Sequence, residues 1–210
     1  MAAVPLAERA LMHRAAIFDL GRVLVNFDFG RGYRAMESLC PYSAEEISKR
    51  VAATSLAVDF ETGLMEPRDF VAGMARVLDC HIEYGRFCEI WSSIFTETLV
   101  PESLLRNLAA RYRLLMLSNT NAIHFQMIRE TYPLVRHFHE FILSYEVKAM
   151  KPRREIFERA IERAGCPAEE CFYTDDIAEY VEAARRLGID AVQFRSAAQL
   201  EDELRARGMV

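Results

Sequence analysis

The chain lacks the features that mark several classes of protein. No Lys/Arg stripe runs through its 210 residues, and 26 basic side chains face 31 acidic ones, for a formal net charge of −5. A mildly acidic surface is unsuited to phosphate backbones, which argues against nucleic acid as the main partner. The pairs Arg153-Arg154 and Arg185-Arg186 sit in helix-like segments and read as solvated faces. Cysteine is scarce and odd in number, five in all, with no CxxC pair. Reduced thiols in a cytoplasmic protein are expected rather than a disulfide framework. Long apolar runs are missing, since stretches such as Leu114-Leu115-Met116-Leu117 fall far short of the about 20 residues of a membrane span. Met1 to Arg14 mixes Glu8, Arg9, His13 and Arg14 among its apolar residues, which is not the core of a secretory leader. Internal repeats and low-complexity tracts are absent. The balance that remains, 51% hydrophobic and 27% charged, is that of a globular protein of one or two domains.

Short apolar runs supply the first positive signal. Ala15 to Phe18, Leu114 to Leu117 and Ala191 to Phe194 read as buried strands, with weaker candidates at Phe141 to Leu143 and Cys171 to Tyr173. Apolar character without alternation is what a parallel sheet covered on both faces requires. Amphipathic segments separate the runs. One carries Ile156, Phe157, Ala160, Ile161 and Ala164 on a single face, with Gly165 placed to stop it. Strand alternating with helix from about residue 100 onward gives a doubly wound α/β domain.

Phe29 to Leu99 differs, reading as helix throughout with no good strand candidate. Ser43-x-x-Glu46 has the form of a capping box, and Pro67 suits a helix start. Phe70, Val71, Met74, Val77 and Leu78 recur at helical spacing, as do Phe87, Ile90, Trp91, Ile94 and Phe95. A helical block after the first strand of such a sheet has the place of an inserted lid. The expected division is therefore 1–28 with 99–210 as the α/β core, and 29–98 as the helical insertion.

In an open parallel sheet the reactive crevice lies beyond the carboxyl ends of the strands. Asp19 follows the first run, Ser118-Asn119-Thr120-Asn121 the second, Lys151 the weak run at 141–143, and Asp175-Asp176 the run at 171–173. Singly, each is more simply a turn or cap residue. Together they place an acid, a hydroxyl with amides, an amine and two further acids along one edge. Clustered carboxylates repel unless a cation lies between them, and Mg²⁺ takes oxygen ligands together with substrate phosphate. A carboxylate can attack phosphorus, while a cation, an ammonium and backbone N–H groups hold the transferring charge.

In these motifs and their order the chain resembles the haloacid dehalogenase superfamily, whose members are mostly Mg²⁺-dependent phosphatases. Asp19-Leu20-Gly21 followed by a helical lid resembles the branch containing bacterial α-D-glucose-1-phosphate phosphatases. The amino-terminal phosphatase domain of epoxide hydrolases is a more distant likeness. The resemblance implies a Rossmann-like core with a small helical cap, Asp19 as nucleophile and metal ligand, and the Gly21 carbonyl as a second ligand. It implies that Ser118 and the Asn119 amide hold phosphoryl oxygens and that Lys151 neutralises nucleophile and phosphate. Asp176 becomes the main acidic ligand, with Asp175 binding directly or through water. The implied substrate is a small phosphate monoester, a sugar phosphate above all.

One position departs from the family pattern. Most family phosphatases carry a second Asp two residues after the nucleophile, as general acid and base, where this chain has Gly21. Proton transfer of that kind is worth about 10²–10⁴-fold; a sugar 1-phosphate, with its more acidic leaving group, needs less of it. Arg22 either grips a substrate anion or is a solvated residue at the lid hinge, and Asp28, on the segment entering the lid, is the weaker alternative for a substitute acid or base. Ile177 and Tyr180 stand where small polar residues would support the metal. His137-x-His139-Glu140 lacks a third ligand at a familiar spacing and reads as a satisfied pair. Phe60, Trp91 and Phe95 are lid core or pocket wall. Two other functions compete: a metal-free 2-haloacid dehalogenase with Arg22 on the substrate carboxylate, and a non-catalytic module binding a phosphorylated ligand.

Overall fold

The computed structural model describes residues 13–210. The leader reading for Met1 to Arg14, and the start of the 1–28 segment, fall largely outside the described residues. Five parallel strands make the central sheet: β1 (Ala15–Phe18), β4 (Arg113–Ser118), β5 (Glu140–Leu143), β6 (Cys171–Asp175) and β7 (Asp190–Gln193), in the order β5-β4-β1-β6-β7. All five runs read from the sequence are strands. A separate antiparallel pair, β2 (Val25–Phe27) and β3 (Phe95–Thr98), stands beside the sheet.

Strand periodicity divides the core. Ala16, Phe18, Leu114, Met116 and Phe172 join one apolar cluster, while Ala15, Ile17, Leu115, Leu117 and Tyr173 join another. Successive residues point to opposite faces, so each strand fills two cores at once. Helices α6 (Glu102–Ala109), α7 (Ala122–Thr131) and α11 (Ala197–Ala206) cover the first face, and α9 (Arg154–Ala164) and α10 (Ala178–Arg185) the second. Gly165 stops α9 in the left-handed conformation, φ +66°, a backbone shape that glycine adopts without side-chain strain.

Five helices lie between β2 and β3: α1 (Phe29–Met36), α2 (Ala44–Ala52), α3 (Leu56–Glu61), α4 (Pro67–Val77) and α5 (Tyr84–Ser92). They enclose a third apolar cluster containing Met36, Ile47, Phe60, Phe70, Phe87 and Trp91. Phe60 stacks on Phe70 at 4.3 Å between ring centroids, and Trp91 stacks on Phe87, so both are core rather than pocket wall. The Ser43 capping box and Pro67 at the start of α4 are both present.

The stretch to residue 99 is not helical throughout, which corrects the sequence reading. Helix α5 ends at Ser92, and Phe95 starts β3, opposite Phe27. Helical spacing continued through Ile94 and Phe95, but pairing with a partner about seventy positions earlier overrides local periodicity.

The α3 end of the insertion is fastened to the core beside α8 (Ser144–Val147). The Ser144 hydroxyl donates to the Glu61 carbonyl at 2.6 Å, and the Lys148 ammonium donates to the Gly63 carbonyl. Gly63 has φ +66°, and a Cβ there would sit 1.9 Å from the Tyr145 carbonyl oxygen. Gly63→Ala is therefore expected to destabilise the protein by at least about 2 kcal/mol, combining left-handed strain with a backbone clash. Thermal unfolding checks it; an unchanged melting temperature would contradict the packing described.

Candidate active site

Residues following the strands converge at the carboxyl edge of the sheet. Asp19 extends β1, its N–H donating to the Thr174 carbonyl at 3.0 Å, which sets its carboxylate beside the end of β6. Carboxylate oxygens of Asp19, Asp175 and Asp176 lie within 4.8 Å of one another. Asp19 and Asp175 are buried and Asp176 is half-buried. The Lys151 ammonium reaches this cluster from the loop after α8. It lies 2.7 Å from Asp19 Oδ1 and 2.6 Å from Asp175 Oδ2, and donates at 3.2 Å to the Leu117 carbonyl.

Burial and charge act against each other here. Burial is the largest influence on Asp19 and raises its carboxyl to about 7, opposed by Lys151 and reinforced by Asp175. Burial likewise raises Asp176, helped by the Asp175 charge. Lys151 is raised despite the burial that disfavours its charge, because Asp19 and Asp175 hold the ammonium form. One buried cation thus serves two buried carboxylates, with a third close by.

Asp175 is fully engaged within the protein. Its Oδ2 accepts from Lys151 and from the Tyr173 hydroxyl, and its Oδ1 accepts from the Ile177 N–H at 2.9 Å. Asp176 has the freer carboxylate of the pair. The Asn119 side chain clamps Lys151 reciprocally, accepting from its N–H at 2.8 Å and donating to its carbonyl at 3.1 Å. Tyr180 lies under the ammonium, 5.2 Å from ring centroid to Nζ, and Ile177 supplies the N–H that fixes Asp175. Both residues thus touch the cluster, Tyr180 through its ring face and Ile177 through a backbone N–H that any residue there would supply.

Beside Asp19 a cleft of about 50 Å³ is lined by Gly21, Phe27, Phe29, Phe95, Ser118 and Asn119, together with Glu61 of the insertion. Ser118 is buried, as expected of a residue that closes β4. A larger recess of about 540 Å³ between α5 and α7, lined by Tyr84, Cys88 and Met127, holds none of Asp19, Asp175 and Asp176. Size alone does not locate the chemistry.

The remaining candidates separate cleanly. Arg22 is exposed with φ 56°, and its guanidinium lies 5.0 Å over the Phe27 ring. Asp28 caps α1, accepting from the Gly30 N–H at 2.8 Å, and pairs with Arg34 at 3.1 Å on the outside. It is a helix cap rather than a substitute acid. His137 pairs with Glu102, His139 Nδ1 accepts from the Leu114 N–H, and Glu140 pairs with Arg113, so that trio forms no metal site. Phe95 is pocket wall.

A family model for haloacid dehalogenase-like hydrolases matches residues 13–188. The chain belongs to that family. It is 24% identical over 200 residues to a D-ribitol-5-phosphate phosphatase of Bacteroides thetaiotaomicron, covering 92% of this chain and 97% of that protein. A crystal structure of a family enzyme from Bacteroides thetaiotaomicron, in complex with magnesium and inorganic phosphate, superposes with a TM-score of 0.78. It is 27% identical and covers 88% of this chain and 95% of that one. An L-2-haloacid dehalogenase from Xanthobacter autotrophicus shares the fold, with a TM-score of 0.61 at 17% identity over 95% of this chain and 85% of that one.

Within the family frame, sequence reasoning overlooked Tyr173, Ser144 and Glu61. Tyr173 reads as strand core, and its hydroxyl contact with Asp175 is a tertiary fact. Glu61 had a faint signal: an acid two residues before Gly63, which breaks the helical pattern.

Proposed function

We propose that the protein is a Mg²⁺-dependent phosphatase that hydrolyses a small phosphate monoester, a sugar or sugar-alcohol phosphate, through an aspartyl-phosphate intermediate. The observation that carries this is Asp19 held at the sheet edge by Lys151 at 2.7 Å, with Asp176 and Asp175 close by. Asp19 attacks phosphorus, the alcohol leaves, and water then releases inorganic phosphate from the aspartyl ester. Ser118 and the Asn119 N–H hold phosphoryl oxygens, and Lys151 offsets the charge gathered there.

The carboxylate cluster suits a hard cation. Lys151 is the one cation within ion-pair distance of it among the described residues, and Asp19 raised to about 7 reflects burial not fully compensated. Asp19, the Gly21 carbonyl and Asp176 would hold Mg²⁺, with Asp175 behind them. When bound, the ion supplies Lewis-acid stabilisation of phosphoryl oxygens. The magnesium and phosphate in the Bacteroides relative support this reading, as does that organism's phosphatase for a five-carbon sugar-alcohol ester. The helical insertion, residues 29–98, acts as the cap over the substrate. The cysteines are free thiols, which agrees with a cytoplasmic setting, and no helix among the described residues is long and apolar enough to cross a membrane.

Phosphate release from p-nitrophenyl phosphate and a panel of sugar and sugar-alcohol phosphates, with Mg²⁺ and with EDTA, tests the proposal. Chelation is expected to stop release, and added Mg²⁺ to restore it. Chloride release from 2-chloropropionate that persists in EDTA would overturn the proposal in favour of a dehalogenase.

A further inference from the structure

Gly21 stands where an acid is usual, and the side chain packed over it leaves no room for one as it stands. A Cβ on Gly21 would lie 2.7 Å from the Phe27 ring, which packs against Phe29 and Phe95 at the cleft wall. A carboxyl at position 21 would require that ring to move. An alkyl phosphate still needs a proton for its leaving oxygen, so another group has to supply it.

Resting on the phosphatase reading, we propose that Glu61, carried into the cleft by the insertion, is the general acid and base that position 21 does not provide. Among the described residues lining the cleft, Glu61 is the one acidic residue. Its backbone is fixed there by the Ser144 hydroxyl on its own carbonyl and by the Lys148 ammonium two residues on. Phe60, its neighbour, is anchored in the insertion core, so the last turn of α3 is held from both sides. Glu61 is partly exposed, and burial alone raises its carboxyl to about 7. Such a group holds a transferable proton near neutral pH. The other titratable cleft residue beyond the strand ends, His124, is already committed. Its Nδ1 meets the Asn121 side chain, its Nε2 meets the Trp91 carbonyl, and burial lowers it to about 4.

The proton balance closes. As the Asp19 oxygen bonds to phosphorus and the ester P–O bond breaks, the Glu61 carboxyl gives its proton to the departing alcohol oxygen. The resulting carboxylate then takes a proton from water as that oxygen attacks phosphorus. Breaking the Asp19–phosphorus bond frees inorganic phosphate and regenerates both side chains.

Single-turnover kinetics of Glu61→Gln with two esters separates this role from a structural one. p-Nitrophenolate is a stable anion and leaves without protonation, whereas the alcohol of D-ribitol 5-phosphate does not. With Glu61→Gln, the first p-nitrophenolate is expected within about tenfold of the wild-type rate, while alcohol release falls about 10²–10⁴-fold. Glu61→Asp, which keeps a carboxyl, is expected to recover part of the alcohol rate. Equal losses on both esters, or no loss on either, would overturn the assignment while leaving the phosphatase reading intact. A wild-type protein that releases phosphate from no ester of the sugar and sugar-alcohol phosphate panel, nor from p-nitrophenyl phosphate, would overturn both.

Discussion

Replacing Asp19 by Asn is expected to lower phosphate release by at least about 10⁴-fold, as removal of a covalent nucleophile does, without loss of the fold. Burial, the dominant influence, raises the folded carboxyl to about 7, against about 3.9 for an unfolded Asp. The folded state therefore binds the proton more tightly, and the stability linked to Asp19 falls as pH rises from about 4 to about 7. Above that window the ionised group burdens the folded state, and Asn relieves it while still accepting from Lys151. A melting temperature at pH 8 equal to or above that of the wild type is expected. Undiminished turnover in the variant would refute the role of Asp19.

Lys151→Met has the second large effect, and it differs in kind because both activity and stability suffer. The ammonium is buried and touches Asp19 and Asp175 at 2.7 and 2.6 Å. Removing one partner of a buried ion pair typically destabilises by about 3–5 kcal/mol, since the charge left behind has no counterpart. Two carboxylates are left behind here, and both can escape only by protonation. The loss should thus grow with pH, and melting curves at pH 6 and pH 8 would show the gap from wild type widening. Turnover should fall by at least about 10²-fold through lost charge stabilisation. A variant that melts like the wild type at pH 8 would show that the ammonium does not hold this cluster together.

The sheet was legible because its strands are buried on both faces, so apolar runs mark them without help from partners. Ala15–Phe18 was read with its observed bounds, and the residues after each run were read as one edge. Legibility failed where a contact spans many positions. Phe95 continues a helical spacing, and only Phe27 opposite makes it a strand. Tyr180 and Ile177 looked wrong by residue type, yet one works through its ring face and the other through its backbone. Asp28 looked available by position, but its carboxylate closes the end of α1. Glu61 gave only a faint signal for the opposite reason: in a helical block an acid is ordinary, and its environment comes from a cleft lined by segments distant in sequence.

The ring over Gly21 also limits how this site can evolve. Because Phe27 fills the space that a side chain at 21 would enter, the two positions cannot drift independently. An acid arriving first displaces the ring, and a smaller residue arriving first at 27 loosens the edge-to-face packing with Phe29 and Phe95 before any acid is there to use the room. Substitutions at the two positions are therefore expected to be coupled rather than additive in their effect on stability.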